Sequence, residues 1–358
     1  MSILSDPLRI GAFEASNRVF MAPLTRARAT REHVPTPLMA EYYAQRAGAG
    51  LIISEATGIS REGLGWPCAP GLWSDAQVEA WRLITGTVHG KGGRIFAQIW
   101  HMGRMVHSSV TGHQPVSSSA TTAPDEIHTL TGKQPPERAR ELSTEDIRRI
   151  LGDYEKAARN ALAAGFDGVQ IHAANGYLID QFLRDSTNYR TDSYGGSPEN
   201  RIRLLREVTE RVCSAIGADR TAVRLSPNGA TQGCIDTHPE TIFVPAAKIL
   251  NDLGIAFLEL REPGPQGTFG RTSQPKLHGQ IREVFTRPLV LNQEFTRESA
   301  IAALRDGSAD AISFGRPFIS NPDLPRRLEE DLPLAKDNIS TWYSAGREGY
   351  TDYPSLPA

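Results

Sequence analysis

Eight short β-type runs alternate with amphipathic stretches along this chain, and together they predict a (β/α)8 TIM barrel. Three observations carry that expectation. The runs are short and separated by helical patterns, as parallel strands joined by right-handed crossovers must be. Their number equals that of the closed barrel, and 358 residues is an ordinary length for one. No linker or composition break interrupts the pattern, so residues 1–358 read as a single domain. An open doubly wound sheet is the alternative, because alternation alone does not show closure.

Taken in order, "LRIGAFEASNR" comes first and reads as an N-terminal hairpin placed to cover the barrel floor. The eight strands follow at "RVFMAP", "GLIISEA", "RIFAQIW", "DGVQIHA", "TAVRLS", "AFLELR", "PLVLNQ" and "DAISFGR". Between them, "TPLMAEYYAQRAGA", "DAQVEAWRLITGTVHG", "TEDIRRILGDYEKAARNALAAG" and "SPENRIRLLREVTERVCSAIG" carry helix-period apolar residues. Residues 101–142 form a long Pro/Ser/Thr-rich excursion after strand three, which places a lid or binding loop at the barrel's C-terminal face.

Composition narrows the function. A net charge of −2, with no run of like charges, gives no electrostatic pull toward nucleic acid or anionic membrane. Cys68, Cys213 and Cys234 are far apart and odd in number, which suits a reducing compartment and excludes a four-thiolate cluster. The start "MSILSDPLRIGAF" lacks the basic and apolar segments of a signal peptide, and no apolar run reaches spanning length. The expectation is a cytoplasmic protein acting on small molecules, as a monomer or homodimer.

Chemistry in such barrels gathers at the C-terminal strand ends. Here those ends carry Thr25, Gln98 and Trp100, the turn His172 to Tyr177, Arg224 and Arg316. Each alone has a bland reading: a core histidine, a packed tyrosine, a turn hydroxyl, or a structural ion pair for Arg224. Six at one end of one barrel point to a site. Strand eight runs into Gly315 and Arg316 and strand seven into "NQEFTRESA", which reads either as a phosphate-binding cradle or as helix-capping turns with an exposed Arg. A metal hydrolase is not expected, because no H-x-H follows strand one and no H-E-x-x-H occurs. The lysines avoid the strand ends, against a Schiff-base aldolase. "GAGLII" precedes its strand, so it is no Rossmann turn.

With "APLTRARAT", "EATGIS", "QIWHMGR", "GFDGVQIHAANGYLIDQFLRDSTNYRTDSYGGSPENR", "VRLSP" and "FGRPFISNPDLPRRL", nearly the whole chain resembles the Old Yellow Enzyme family of FMN-dependent ene-reductases. The resemblance implies noncovalent FMN, with NADPH or NADH as hydride donor in the same pocket. Thr25, on the threonine-bearing branch of the family, would bond the flavin C4 carbonyl, beside Pro23 and Leu24. Gln98 would meet the pyrimidine edge, Arg224 the N1/O2 side, and Ala56 would let the ring approach. Asn292, Gln293, Gly315 and Arg316 would hold the phosphate, although "LNQEF" carries no glycine where the family's loop has one. His172 and Asn175 would bond a carbonyl or nitro oxygen of an activated alkene. Hydride would pass from flavin N5 to its β-carbon, and Tyr177 would protonate the α-carbon. Trp100, Phe269 and Tyr343 would wall the substrate side. The "DSTNYRTDSYGGSPENR" loop reads as structural, with Ser197 capping a helix and Pro198 opening it. Outside the family, a phosphate-binding barrel lyase or isomerase and a non-catalytic flavin-binding protein remain. Within it, the dienoyl-CoA reductases and amine dehydrogenases carry extra domains and a cysteine run that this chain lacks.

Overall fold

A computed structural model describes residues 2–267 and 269–357. All eight expected strands are present: β1 Val19–Met21, β2 Leu51–Ile53, β3 Ile95–Trp100, β4 Gly168–His172, β5 Thr221–Leu225, β6 Phe257–Arg261, β7 Leu289–Asn292 and β8 Ala311–Phe314. Every neighbouring pair is parallel. The order runs β4-β5-β6-β7-β8-β1-β2-β3, and β3 pairs back onto β4 with Gln98 beside Gln170. That last pairing closes the sheet and rules out the open alternative.

The principal helices are α1 Pro37–Gln45, α2 Asp75–Gly90, α3 Thr144–Ala163, α4 Pro198–Ile216, α5 Glu240–Leu253, α6 His278–Val284, α7 Arg297–Arg305 and α8 Leu324–Glu329. Their starts follow local chemistry. Ser74, Ser143 and Thr296 each take a backbone N–H three residues on, in reciprocal capping boxes. Ser197 caps α4 and Pro198 opens it, as expected; a cap of this kind contributes about 1 kcal/mol. Along α3, Ile147, Ile150, Leu151, Tyr154, Ala157, Ala158 and Ala161 fall on one buried face. They join the outward-pointing strand residues in the core between sheet and helices.

The N-terminal hairpin pairs Leu8–Ile10 with Phe13–Ala15. Its turn needs Gly11, which is left-handed at φ 48 and whose Cβ would lie 2.0 Å from the Asp219 carbonyl oxygen. Ile10 and Ala15 pack on Phe20, Leu51, Ile53, Phe96, Phe257 and Val290, and so seal the floor. The excursion after β3 is ordered. It holds a helical turn at Ser108–Thr111, a parallel pair of Val116–Ser117 with Arg140–Glu141, and a hairpin of Ile127–Thr129 with Gly132–Gln134. Among the described residues, no helix is long and apolar enough to cross a membrane.

Candidate active site

Residues two apart on a strand share a face, and this period carries each inward file from the apolar floor to a polar mouth. On β3 the file is Phe96, Gln98, Trp100; on β5 it is Ala222 then Arg224; on β6 it is Phe257, Glu259, Arg261. Phe96, Ala222 and Phe257 belong to the floor cluster, whereas their odd-numbered or even-numbered neighbours Ala97, Val223 and Leu258 pack outward. The middle layer is therefore polar and closed to water.

That layer is wired together. Gln98 donates from Nε2 to Gln170 Oε1 at 2.7 Å, and Gln170 donates to Glu259 Oε2 at 2.6 Å. Ser313 donates to Glu259 Oε1 at 2.6 Å. Arg224 Nε lies 3.3 Å from the same oxygen without the alignment of a hydrogen bond, while its Nη2 donates to Asn292 Oδ1 at 2.7 Å. Asn292 in turn donates to the Ser313 carbonyl at 2.8 Å. So Arg224 does have a buried carboxylate partner below it, and it also lines the cavity above. The structural ion pair is therefore present, and the same side chain also faces the space a ligand could occupy.

Above the layer opens a cavity of about 1030 Å³, beyond the roughly 300–1,000 Å³ usual for one small ligand. Pro23, Leu24, Thr25, Asn175, Tyr177, Arg224, Phe269, Asn292, Gln293, Gly315, Arg316 and Tyr343 line it. Ala56, Gln98, Trp100 and His172 do not; they are buried immediately behind the wall. His172 stacks on Trp100 with ring centroids 6.0 Å apart, and Tyr177 meets both rings edge-on at 4.6 Å and 5.1 Å.

The turn after β4 explains how these groups converge. Asn175 and Gly176 are both left-handed, at φ 60 and φ 78, which Asn and Gly tolerate best. The Asn175 N–H donates to Ser226 Oγ at 2.8 Å and the Gly176 N–H to Asp180 Oδ2 at 2.9 Å. Gly176 is also a close approach: a Cβ there would sit 2.6 Å from the Thr231 carbonyl oxygen. Burial, with Arg224 and Arg261 beside it, holds the His172 imidazole well below its usual range, so the ring is neutral at physiological pH. Burial pushes the Tyr177 phenol up to about 12, which keeps its proton in place.

The loops after β7 and β8 both line the cavity. Gln293 and Glu294 are left-handed at φ 105 and φ 58, so this chain keeps a glycine-type bend without a glycine. A Cβ on Gly315 would touch only Leu24, at 3.4 Å, so the space beside this backbone is cavity. Buried polar atoms at or behind the wall without a hydrogen-bond partner in the protein include Arg224 Nε, His172 Nδ1, Trp100 Nε1 and Gln232 Oε1. Unpartnered buried polar atoms of this kind, donors and acceptors both, fit a polar ring system and its ligand. The donor set thus suits FMN, with a cation and amides below and an open glycine-lined loop to one side.

Several residues escaped the sequence reading. Arg261 lines the cavity at the end of β6, donating from Nη1 to Asn175 Oδ1 at 3.0 Å and from Nη2 to the Phe269 carbonyl. Burial and the neighbouring Arg224 lower its guanidinium to about 9, still charged at neutral pH. The signal was available, because Arg261 stands two and four residues beyond Glu259 and Phe257 on one file. Trp66, His128 and Lys133 also reach the wall, from segments outside the strand repeat.

A barrel with this cradle, buried cation and donor pair is a flavin oxidoreductase in class. Residues 4–335 match the NADH:flavin oxidoreductase / NADH oxidase family. An Old Yellow Enzyme homologue of known structure from Zymomonas mobilis is 68% identical, covers 99% of both chains and superposes with a TM-score of 0.98. Morphinone reductase is 42% identical over 99% of this chain and 96% of its own, with a TM-score of 0.95; another structure of it holds tetrahydroNAD. The putative 12-oxophytodienoate reductase 3 of Oryza sativa subsp. japonica is 44% identical over 361 residues, 99% of this chain and 92% of that protein. The chain belongs to this family, the Old Yellow Enzymes, and is an FMN-dependent NAD(P)H oxidoreductase of the ene-reductase class.

Proposed function

We propose that this chain reduces the C=C bond of α,β-unsaturated carbonyl compounds and nitroalkenes, with the whole of residues 1–358 acting as one cytoplasmic FMN-binding barrel. The observation that carries this reading is the turn after β4, which gathers a neutral imidazole, a carboxamide and a protonated phenol beside two guanidiniums. Bound FMN would supply the hydride chemistry between NADPH or NADH and the alkene. The protein's own groups do the rest. His172 and Asn175 donate to the substrate oxygen, where negative charge develops. Tyr177 holds a proton for the α-carbon at any pH below about 12. Arg224 and Thr25 on the cavity wall, with Gln98 behind it, would hold the polar side of the flavin ring, and Pro23, Leu24 and Ala56 would pack beside it. Asn292, Gln293, Gly315 and Arg316 would hold its phosphate, and Trp100, Phe269 and Tyr343 would shape the substrate side. The partners are small molecules, and the working unit is a monomer or homodimer.

The test is an absorbance spectrum of purified protein, followed by chromatography of the heat-released cofactor. FMN should be found, anaerobic NADPH should bleach it, and 2-cyclohexenone should restore the colour. A colourless protein sinks the reading. A yellow protein that does not oxidise NADPH with the enone present is a flavin carrier instead.

A further inference from the structure

Asn175 is offered as a hydrogen-bond donor to substrate, yet a carboxamide has two faces. Rotated by half a turn, it would present its oxygen to the cavity and repel the charge it should stabilise. Something must hold it one way round. The backbone cannot, since the left-handed turn and the Ser226 contact fix only the main chain.

We infer that Arg261 is a positioning residue that locks the Asn175 amide with its NH2 group toward the cavity. This rests on the proposed donor role of Asn175. A guanidinium has donors only, so the atom 3.0 Å from Arg261 Nη1 must be the amide oxygen. The NH2 group then takes the other side. Arg261 is itself held: Nη2 donates to the Phe269 carbonyl, and its carbon lies 4.6 Å from the centroid of the Phe269 ring. It is 3% exposed, at the end of a barrel strand. The oriented donor is thus set by β6, two strands away from the turn that carries it.

The test is a double-mutant cycle on the FMN-loaded protein, with 4-hydroxybenzaldehyde as probe. Its phenolate oxygen carries charge like that of an enolate, and binding is read from the flavin absorbance change. Asn175→Ala should weaken the probe. Arg261→Met should weaken it about fivefold, the effect of one buried hydrogen bond of about 1 kcal/mol. In the Asn175→Ala background, Arg261→Met should then change binding by less than about twofold, because its route to the ligand is gone. Arg261→Gln, whose amide both donates and accepts and so fixes neither orientation, should behave like Arg261→Met and serves if that variant does not fold.

Equal weakening in both backgrounds would show that Arg261 acts by its own charge, which overturns the inference. So would unchanged binding in Arg261→Met while Asn175→Ala is impaired. If Asn175→Ala itself binds normally, the donor role of Asn175 fails, and with it the reading on which the inference rests.

Discussion

Arg224 stands between a buried carboxylate and the cavity, and removing it should produce two separable losses. In Arg224→Met, Glu259 keeps its bonds from Gln170 and Ser313 but loses the only guanidinium the described structure places against it. Breaking a buried pair from one side costs about 3–5 kcal/mol. For a chain of 358 residues, the unfolding entropy converts each kcal/mol to about 1.3 °C, so the apoprotein should melt roughly 4–7 °C lower. FMN binding should weaken as well, by about 2 kcal/mol or roughly thirtyfold, for a lost hydrogen bond to a charged group. The double variant Arg224→Met/Glu259→Gln separates the two. Neutralising Glu259 removes the stranded charge, so the apoprotein's melting temperature should recover while FMN affinity stays low. Calorimetry of apoprotein and a fluorescence titration with FMN read the two quantities independently. Should FMN affinity recover together with stability, Arg224 would be a structural ion pair only.

Two further outcomes follow from the same layer and its surroundings. Tyr177→Phe should leave flavin reduction by NADPH nearly untouched in stopped flow and slow the turnover of enones. Hydride transfer to nitroalkenes should survive, since a nitronate persists without prompt protonation; equal loss for both substrates would assign Tyr177 to binding or packing. Glu55 is buried, which raises it to about 7 despite N–H donation from Arg26 and Ala27. Between its unfolded value of about 4.5 and 7, the folded protein holds a proton that the unfolded chain has released, so stability falls as pH rises through that window, by at most about 3 kcal/mol. Glu55→Gln keeps an acceptor for both N–H groups and should flatten that slope; parallel melting curves from pH 4.5 to 7.5 would show that Glu55 does not titrate there.

The strands were legible because each is a short apolar run bounded by polar turns, and the count of eight held. Closure was not, since the pairing of β3 with β4 joins residues about 70 apart and leaves no local trace. At the site, residues that end a strand, such as Thr25, Arg224 and the His172–Tyr177 turn, could be found by position. Glu259 and Gln170 could not be told from solvent-facing polar residues in short runs until the inward file was known. Arg261 was legible by the same rule as Arg224, as the polar end of the file Phe257, Glu259, Arg261, but was not singled out. The excursion's hairpin escaped because "IHTLTGKQ" is short and weakly apolar, and tertiary contacts decide its pairing.

Among the described residues the barrel is closed at its floor and open to the cavity at the opposite end. Ile10 and Ala15 stopper the end opposite the cavity, so nothing enters or leaves past the hairpin. Two reactants that must both use the open end take turns, and each obstructs the other. A raised concentration of nicotinamide donor should therefore slow the alkene, a raised concentration of alkene should slow the donor, and the two should never be found inside together. Such alternation would come from the two reactants sharing the one cavity above the polar layer, with the hairpin closing the apolar end beneath it.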